Sequence, residues 1–207
     1  PSTQTTGIIL NGISGTNAAS VKNNNITGGF YGYVVHNVST TTQTNIENGT
    51  LTGQMQGVAV VNTVDGTNLF ASNVKVKGLN LSGFTGSHPT LPAVNHHAGI
   101  YTFTTGSSSA TNALTVDIDG LTIDGTGKPN QASAGVYLGD FATGSGTFQN
   151  VTVTNTIIQN NINRGISARG KVSITVTNSE LLNNGSDAFG SGGNDGFGVI
   201  ALEGASV

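Results

Sequence analysis

Cysteine and tryptophan are absent from this chain of 207 residues, and only four prolines occur. Without cysteine there can be no disulfide framework and no thiolate metal or redox site. Charge is scarce too: seven Lys and Arg with ten Asp and Glu make up 8% of the residues, against roughly a quarter in an ordinary domain. A net charge of −3 with no run of Lys and Arg excludes an electrostatic nucleic-acid binder. Apolar runs end after four or five residues, too short for a helix that spans a bilayer. Straight-chain helix formers are few, which disfavours helix throughout. The opening Pro1-Ser2-Thr3-Gln4 has neither the basic residues nor the apolar stretch of a signal peptide.

What is present is an internal repeat in a chain with 31 glycines. One six-residue pattern recurs six times without a gap, as in Val21-Lys22-Asn23-Asn24-Asn25-Ile26 and Val76-Lys77-Gly78-Leu79-Asn80-Leu81. Its first position is Val or Ile: Val21, Ile46, Val76, Ile118, Val153, Val176. Its sixth is Ile or Leu: Ile26, Leu51, Leu81, Ile123, Ile158, Leu181. The third is Asn or Gly, and so is the residue two places past the sixth: Gly28, Gly53, Gly83, Gly125, Asn160, Asn183. A second pattern, Gly followed by a short β-prone run, interleaves with the first at Gly7, Gly32, Gly57, Gly99, Gly135, Gly165 and Gly198. The period is 25 residues for two steps and then longer.

These columns have a physical reading. Residues two apart in a strand share a face, so the Val/Ile positions point inward. Asn and Gly tolerate the left-handed backbone that a sharp bend needs. One such unit cannot bury its apolar face alone, but units stacked about 4.8 Å apart share a continuous core. Charge supports the same register: Lys22, Glu47, Lys77 and Asp119 fall in one column, and Lys75 meets Asp117 in another.

On these units the chain resembles the right-handed parallel β-helix, or pectate-lyase-like, superfamily, over about residues 7–202. Gly135-Val136-Tyr137-Leu138 and Val151-Thr152-Val153-Thr154-Asn155-Thr156 carry the likeness most clearly. The nearest character is that of bacterial surface adhesin and stalk β-helices. The resemblance implies an all-β fold: one β-helix solenoid domain over 1–207, of about seven coils with three short strands each. Its abrupt ends suggest a piece of a longer protein. Members of the superfamily include polysaccharide lyases, hydrolases, epimerases, phage tailspikes and adhesins, so fold leaves function open.

The leading expectation is a non-catalytic extracellular or cell-surface segment of an adhesin, stalk or fibre, with weak glycan binding. Tyr101 and Tyr137 stand two places after their glycines and should stack on adjacent coils, with Arg164 and Arg169 nearby as ligand-binding partners. The alternative is a lyase, epimerase or hydrolase acting on an acidic glycan, with Asp117, Asp119 and Asp124 as its candidate catalytic carboxylates. In β-helix lyases, carboxylates on a strand face bind calcium. Here, pairing of Asp117 and Asp119 with Lys75 and Lys77 is the simpler account. No cofactor is expected, and Asp187 and Asp195, in a glycine-rich loop, are the weak calcium candidates.

His88, His96 and His97 cluster in the insertion Phe84–Ala98, where they would serve a metal or simply be exposed. That insertion, with Thr126–Ala134 and Asn184–Phe197, should leave one corner of the solenoid, and Thr104–Ala113 and Asp140–Gln149 the preceding one. The expected partners are a glycan or the surface of a host or neighbouring cell. Further coils of the parent chain, or a second copy, would pair with the end coils at Gly7–Leu10 or Gly198–Leu202. Nucleic acid and membrane insertion are not expected.

Overall fold

The computed structural model describes residues 6–12, 14–15, 19–36, 39–40, 43–66, 72–85, 97–108, 114–126, 133–140, 143, 149–185 and 197–207. Among these residues there is no helix. The first half holds β1 (Thr6–Asn11), β2 (Ser14–Gly15), β3 (Ser20–Thr27), β4 (Tyr31–His36), β5 (Ser39–Thr40), β6 (Thr44–Thr52), β7 (Gln56–Gly66), β8 (Ser72–Ser82) and β9 (His97–Ser108). The second half holds β10 (Leu114–Asp119), β11 (Thr122–Asp124), β12 (Ser133–Asp140), β13 (Gln149–Thr154), β14 (Ile157–Gln159), β15 (Arg164–Arg169), β16 (Val172–Thr177), β17 (Glu180–Leu182) and β18 (Phe197–Leu202).

All pairings among the described residues are parallel. One sheet runs β1-β4-β7-β9-β12-β15-β18, each glycine-led strand beside the next. The other stacks the six-residue units: β3 pairs β6, β6 pairs β8, and β8 leads to β10-β13-β16 on one arm and β11-β14-β17 on the other. A minor pair joins β2 and β5.

The registers reproduce the sequence columns residue for residue. Val21, Ile46, Val76, Ile118, Val153 and Val176 are successive partners. Ile26, Leu51, Leu81, Ile123, Ile158 and Leu181 form the second series. The middle four of each series are buried, while the end members Val21, Val176, Ile26 and Leu181 are only partly covered and pack against the core. The glycine-led sheet adds Tyr33, Val58, Ile100, Val136 and Ile166 to the same core. The core therefore lies between the two sheets, and it thins at the first and last rows.

The bends follow from the Asn/Gly columns. Asn23, Asn48, Asn155 and Asn178 have φ between 50° and 59°, and Gly78 and Gly120 occupy the same third position with φ of 63° and 66°. Asn is the side-chain-bearing residue that tolerates this region best. The later column is left-handed at Gly28, Gly53, Gly83, Asn160 and Asn183 but not at Gly125. There the requirement is close approach: a Cβ on Gly125 would lie 2.5 Å from the Asn160 carbonyl oxygen and 2.7 Å from Asn161 Cα.

Close approach also explains the glycine-led strands. A Cβ on Gly32 would lie 2.6 Å from the Gly57 carbonyl oxygen and 3.1 Å from Leu51 Cδ1. On Gly165 it would lie 2.6 Å from the Gly198 oxygen and 2.9 Å from Leu181 Cδ2. Each glycine thus admits the Ile or Leu that closes its own repeat. Gly198, in the last row, has nothing within 4 Å of such a Cβ. Gly32→Ala should therefore cost about 1–3 kcal/mol by overpacking, while Gly198→Ala should change stability little. Urea denaturation of the two variants checks this contrast.

Candidate functional site

Strand β10 alternates buried and half-buried residues, so Val116 and Ile118 enter the core while Asp117 and Asp119 look outward. Asp119 is drawn into a network. Asn155 Nδ2 donates to its Oδ1 at 3.1 Å, and Lys75 and Lys77 each approach Oδ2 to 3.7 Å. The Asn155 hydrogen bond leads in holding the Asp119 carboxyl below the usual range, and the two lysines add to it. Lys22 and Glu47 pair in the same column at 3.0 Å. Such exposed pairs contribute about 1 kcal/mol or less, so they tune the register rather than create it.

The expected match of Lys75 with Asp117 holds for the backbone but not for the ion pair. Their Cα positions are partners, yet the Lys75 ammonium reaches diagonally to Asp119. Asp117 instead accepts from Gln43 Nε2 at 2.6 Å and from Thr152 Oγ1 at 2.7 Å. Gln43 also donates to Asn73 Oδ1 at 3.1 Å, so one amide ties three successive repeats together.

Asp124, on β11, accepts hydrogen bonds on both carboxylate oxygens. Thr126 donates to Oδ1 from its backbone N–H at 2.9 Å and from its hydroxyl at 2.6 Å. Asn160 Nδ2 adds a bond to Oδ1 at 3.1 Å, and Gln159 Nε2 donates to Oδ2 at 2.9 Å. Burial alone would raise this pKa, but the donors outweigh it and bring it to about 2. A carboxyl held there is a poor proton donor or acceptor near neutral pH. Among the described residues, no group of three or more His, Asp or Glu could hold a metal ion.

The glycine-led sheet carries the aromatic candidates on the face turned away from the main core. Tyr101 and Tyr137 are register partners with ring centroids 5.4 Å apart and planes within 11°. Tyr101 also lies nearly parallel to Phe103, two residues on, at 6.1 Å. Tyr137 is only 9% exposed and joins Ala98 and Ala134 in a second, smaller apolar cluster, with Tyr101 packed against it. Burial raises the pKa of both hydroxyls; Tyr31 and Tyr137 raise Tyr101 further, whereas Arg169 and Arg164 act to lower Tyr137.

Arg169 forms a two-pronged bridge to Glu203, with Nε to Oε2 at 2.7 Å and Nη2 to Oε1 at 2.6 Å. It is also hydrogen-bonded to Tyr137. Arg164 Nη1 donates to Ser167 Oγ at 3.2 Å. The four ligand-binding candidates thus share one region.

His97 is buried at the start of β9, its Nδ1 2.9 Å from the Phe84 carbonyl oxygen, and so is not the exposed loop histidine of the simple structural expectation. His88, His96, Asp187 and Asp195 lie outside the described residues, as does half or more of each insertion.

Sequence reading missed Phe103, Gln43, Glu203 and an inner amide ladder. In that ladder Asn161 donates from its N–H and from Nδ2 to Asn184 Oδ1, at 3.1 and 2.8 Å, and Asn184 Nδ2 donates to the Ile158 carbonyl at 2.8 Å. The paired Asn160-Asn161 and Asn183-Asn184 were the available signal: the first of each pair bends the chain and the second links neighbouring rows.

Asp124 gives the clearest pH dependence. Its folded pKa of about 2 lies below the unfolded 3.8, so its stabilisation is complete above about pH 5 and is lost progressively as pH falls through 3.8 toward 2. Asp124→Asn should cost about 1–3 kcal/mol at neutral pH, and the difference from the parent chain should shrink toward pH 2. Thermal melts across that range read both. No family model, no curated protein and no solved structure was found to match the chain.

Proposed function

We propose that the chain is a right-handed parallel β-helix of the pectate-lyase-like kind, serving as a non-catalytic extracellular segment of a surface adhesin, stalk or fibre. Two features support the fold, and a general rule supports its hand. Seven glycine-led strands pair in strict chain order, and the six-residue units break or bend into two further segments per repeat. Parallel strands joined across a crossover in one sheet are almost always connected with a right hand.

The observation that carries the functional reading is where the charges go. Asp117, Asp119 and Asp124 are each bound to side chains of neighbouring repeats, and Arg169 is bound to Glu203. Glycoside hydrolysis needs paired carboxylates, one of them able to release a proton near working pH, and lyase chemistry needs a base tuned for abstraction. Carboxylates bound between repeats suit a rod whose polar surface is itself structural. A glycan would meet it weakly, at Tyr101, Phe103 and Arg164, gaining strength by repetition along a surface.

The experiment is retention on a glycan array, run beside an activity screen on uronate polymers. Tyr101→Ala and Arg164→Gln should each weaken retention of the parent chain by severalfold while lowering the melting temperature by only a few degrees. No retention of the parent chain, or retention unchanged in both variants, would remove the glycan part of the reading. Release of unsaturated or reducing products would overturn the non-catalytic part.

A further inference from the structure

Strand β16 has β13 on one side, and on the other side it meets the segment Glu203–Val207. The Ile174 N–H donates to the Ser206 carbonyl at 3.0 Å, and the Ser206 N–H donates to the Val172 carbonyl at 2.9 Å. Ser173 and Ser206 form a parallel bridge outside the named strands. Ala205 packs against the core, to which Val172 and Ile174, each 2% exposed, belong. The chain reaches this position by turning at Glu203 and Gly204, with φ of 56° and 91°. Glu203 is an unfavourable residue for that region, since glycine and asparagine adopt it at lower cost. Its side chain explains the choice: from this turn the carboxylate closes the two-pronged bridge with Arg169, at the end of β15.

We propose that Glu203–Val207 is a clasp that closes the outer edge of β16, held by the Arg169–Glu203 bridge and able to open as a unit while the rest of the stack stays folded. The contacts divide accordingly. Among the described residues the clasp has one bridge, two backbone hydrogen bonds and one packed alanine, whereas β16, which it covers, is bound to β13 through a full ladder. Elements with few buried contacts and an exposed tie open at lower free energy than the core. Closing matters because an open strand edge offers unpaired N–H and C=O groups to any other extended chain. The inference is independent of the glycan reading.

Amide hydrogen exchange on the full chain tests it, with Ile174 and Ser206 as reporters and Val153 as the core reference. Ile174 and Ser206 should exchange faster than Val153. Glu203→Gln, which keeps the side-chain length and removes the charge, should speed both reporters about fivefold and leave Val153 unchanged. Raising the salt to about 1 M should speed the reporters in the parent chain and have no further effect in Glu203→Gln. Exchange of Ile174 at the rate of Val153, no change in Glu203→Gln, or equal acceleration at Val153 would each overturn the clasp.

Discussion

The close approach of each glycine-led strand to the next row, and to the Ile or Leu that closes its own repeat, is the constraint from which the rest of the structure follows. Rows spaced by about 4.8 Å leave no room for a Cβ where the Gly32 and Gly57 backbones meet above Leu51. That position must be glycine in every row that has a successor. Once it is glycine, Leu51, Leu81, Ile123 and Ile158 can fill the space inside, and the second buried series forms. The register is then fixed, because sliding one strand by a residue would turn its apolar side chains outward.

In-register stacking also governs the surface. Equivalent outward positions lie one strand spacing apart, so like charges would repel and complementary polar groups bind. The chain meets this with few charges and many amides and hydroxyls. Lys22 faces Glu47, Gln43 spans Asn73 and Asp117, and Asp124 is held by Gln159 and Asn160 of the following repeat. The groups that first suggest chemistry are in this way bound to neighbouring rows. The same logic extends inside the bends, where Asn161 and Asn184 satisfy backbone groups that would otherwise be buried without partners.

Much of this was legible in the sequence because a stacked repeat writes its contacts as columns. Val21 through Val176 and Ile26 through Leu181 pair as the pattern requires, and Tyr101 stacks on Tyr137. What escaped was contact that does not follow a column. Lys75 reaches diagonally past Asp117 to Asp119, because a long flexible side chain is not bound to its backbone partner. Gln43 sits two repeats from Asp117, and Glu203 lies beyond the last repeat of the pattern. Gly125 looked like another left-handed bend but is glycine for want of space. His97 follows His88, Pro89, Pro92 and His96, a loop-like run that hid its place at the start of a buried strand.

Because the chain contains no cysteine, the stacking register can be measured directly with an engineered pair. Thr152 and Thr175 are exposed register partners on β13 and β16, at the separation of adjacent strands that a disulfide can bridge. Thr177, two residues further along β16, is exposed on the same face but lies beyond easy reach of Thr152. Under mild oxidation Thr152→Cys with Thr175→Cys should cross-link within the monomer nearly to completion, and Thr152→Cys with Thr177→Cys should not. Equal cross-linking of the two pairs, or preference for the offset pair, would contradict the register on which the account rests.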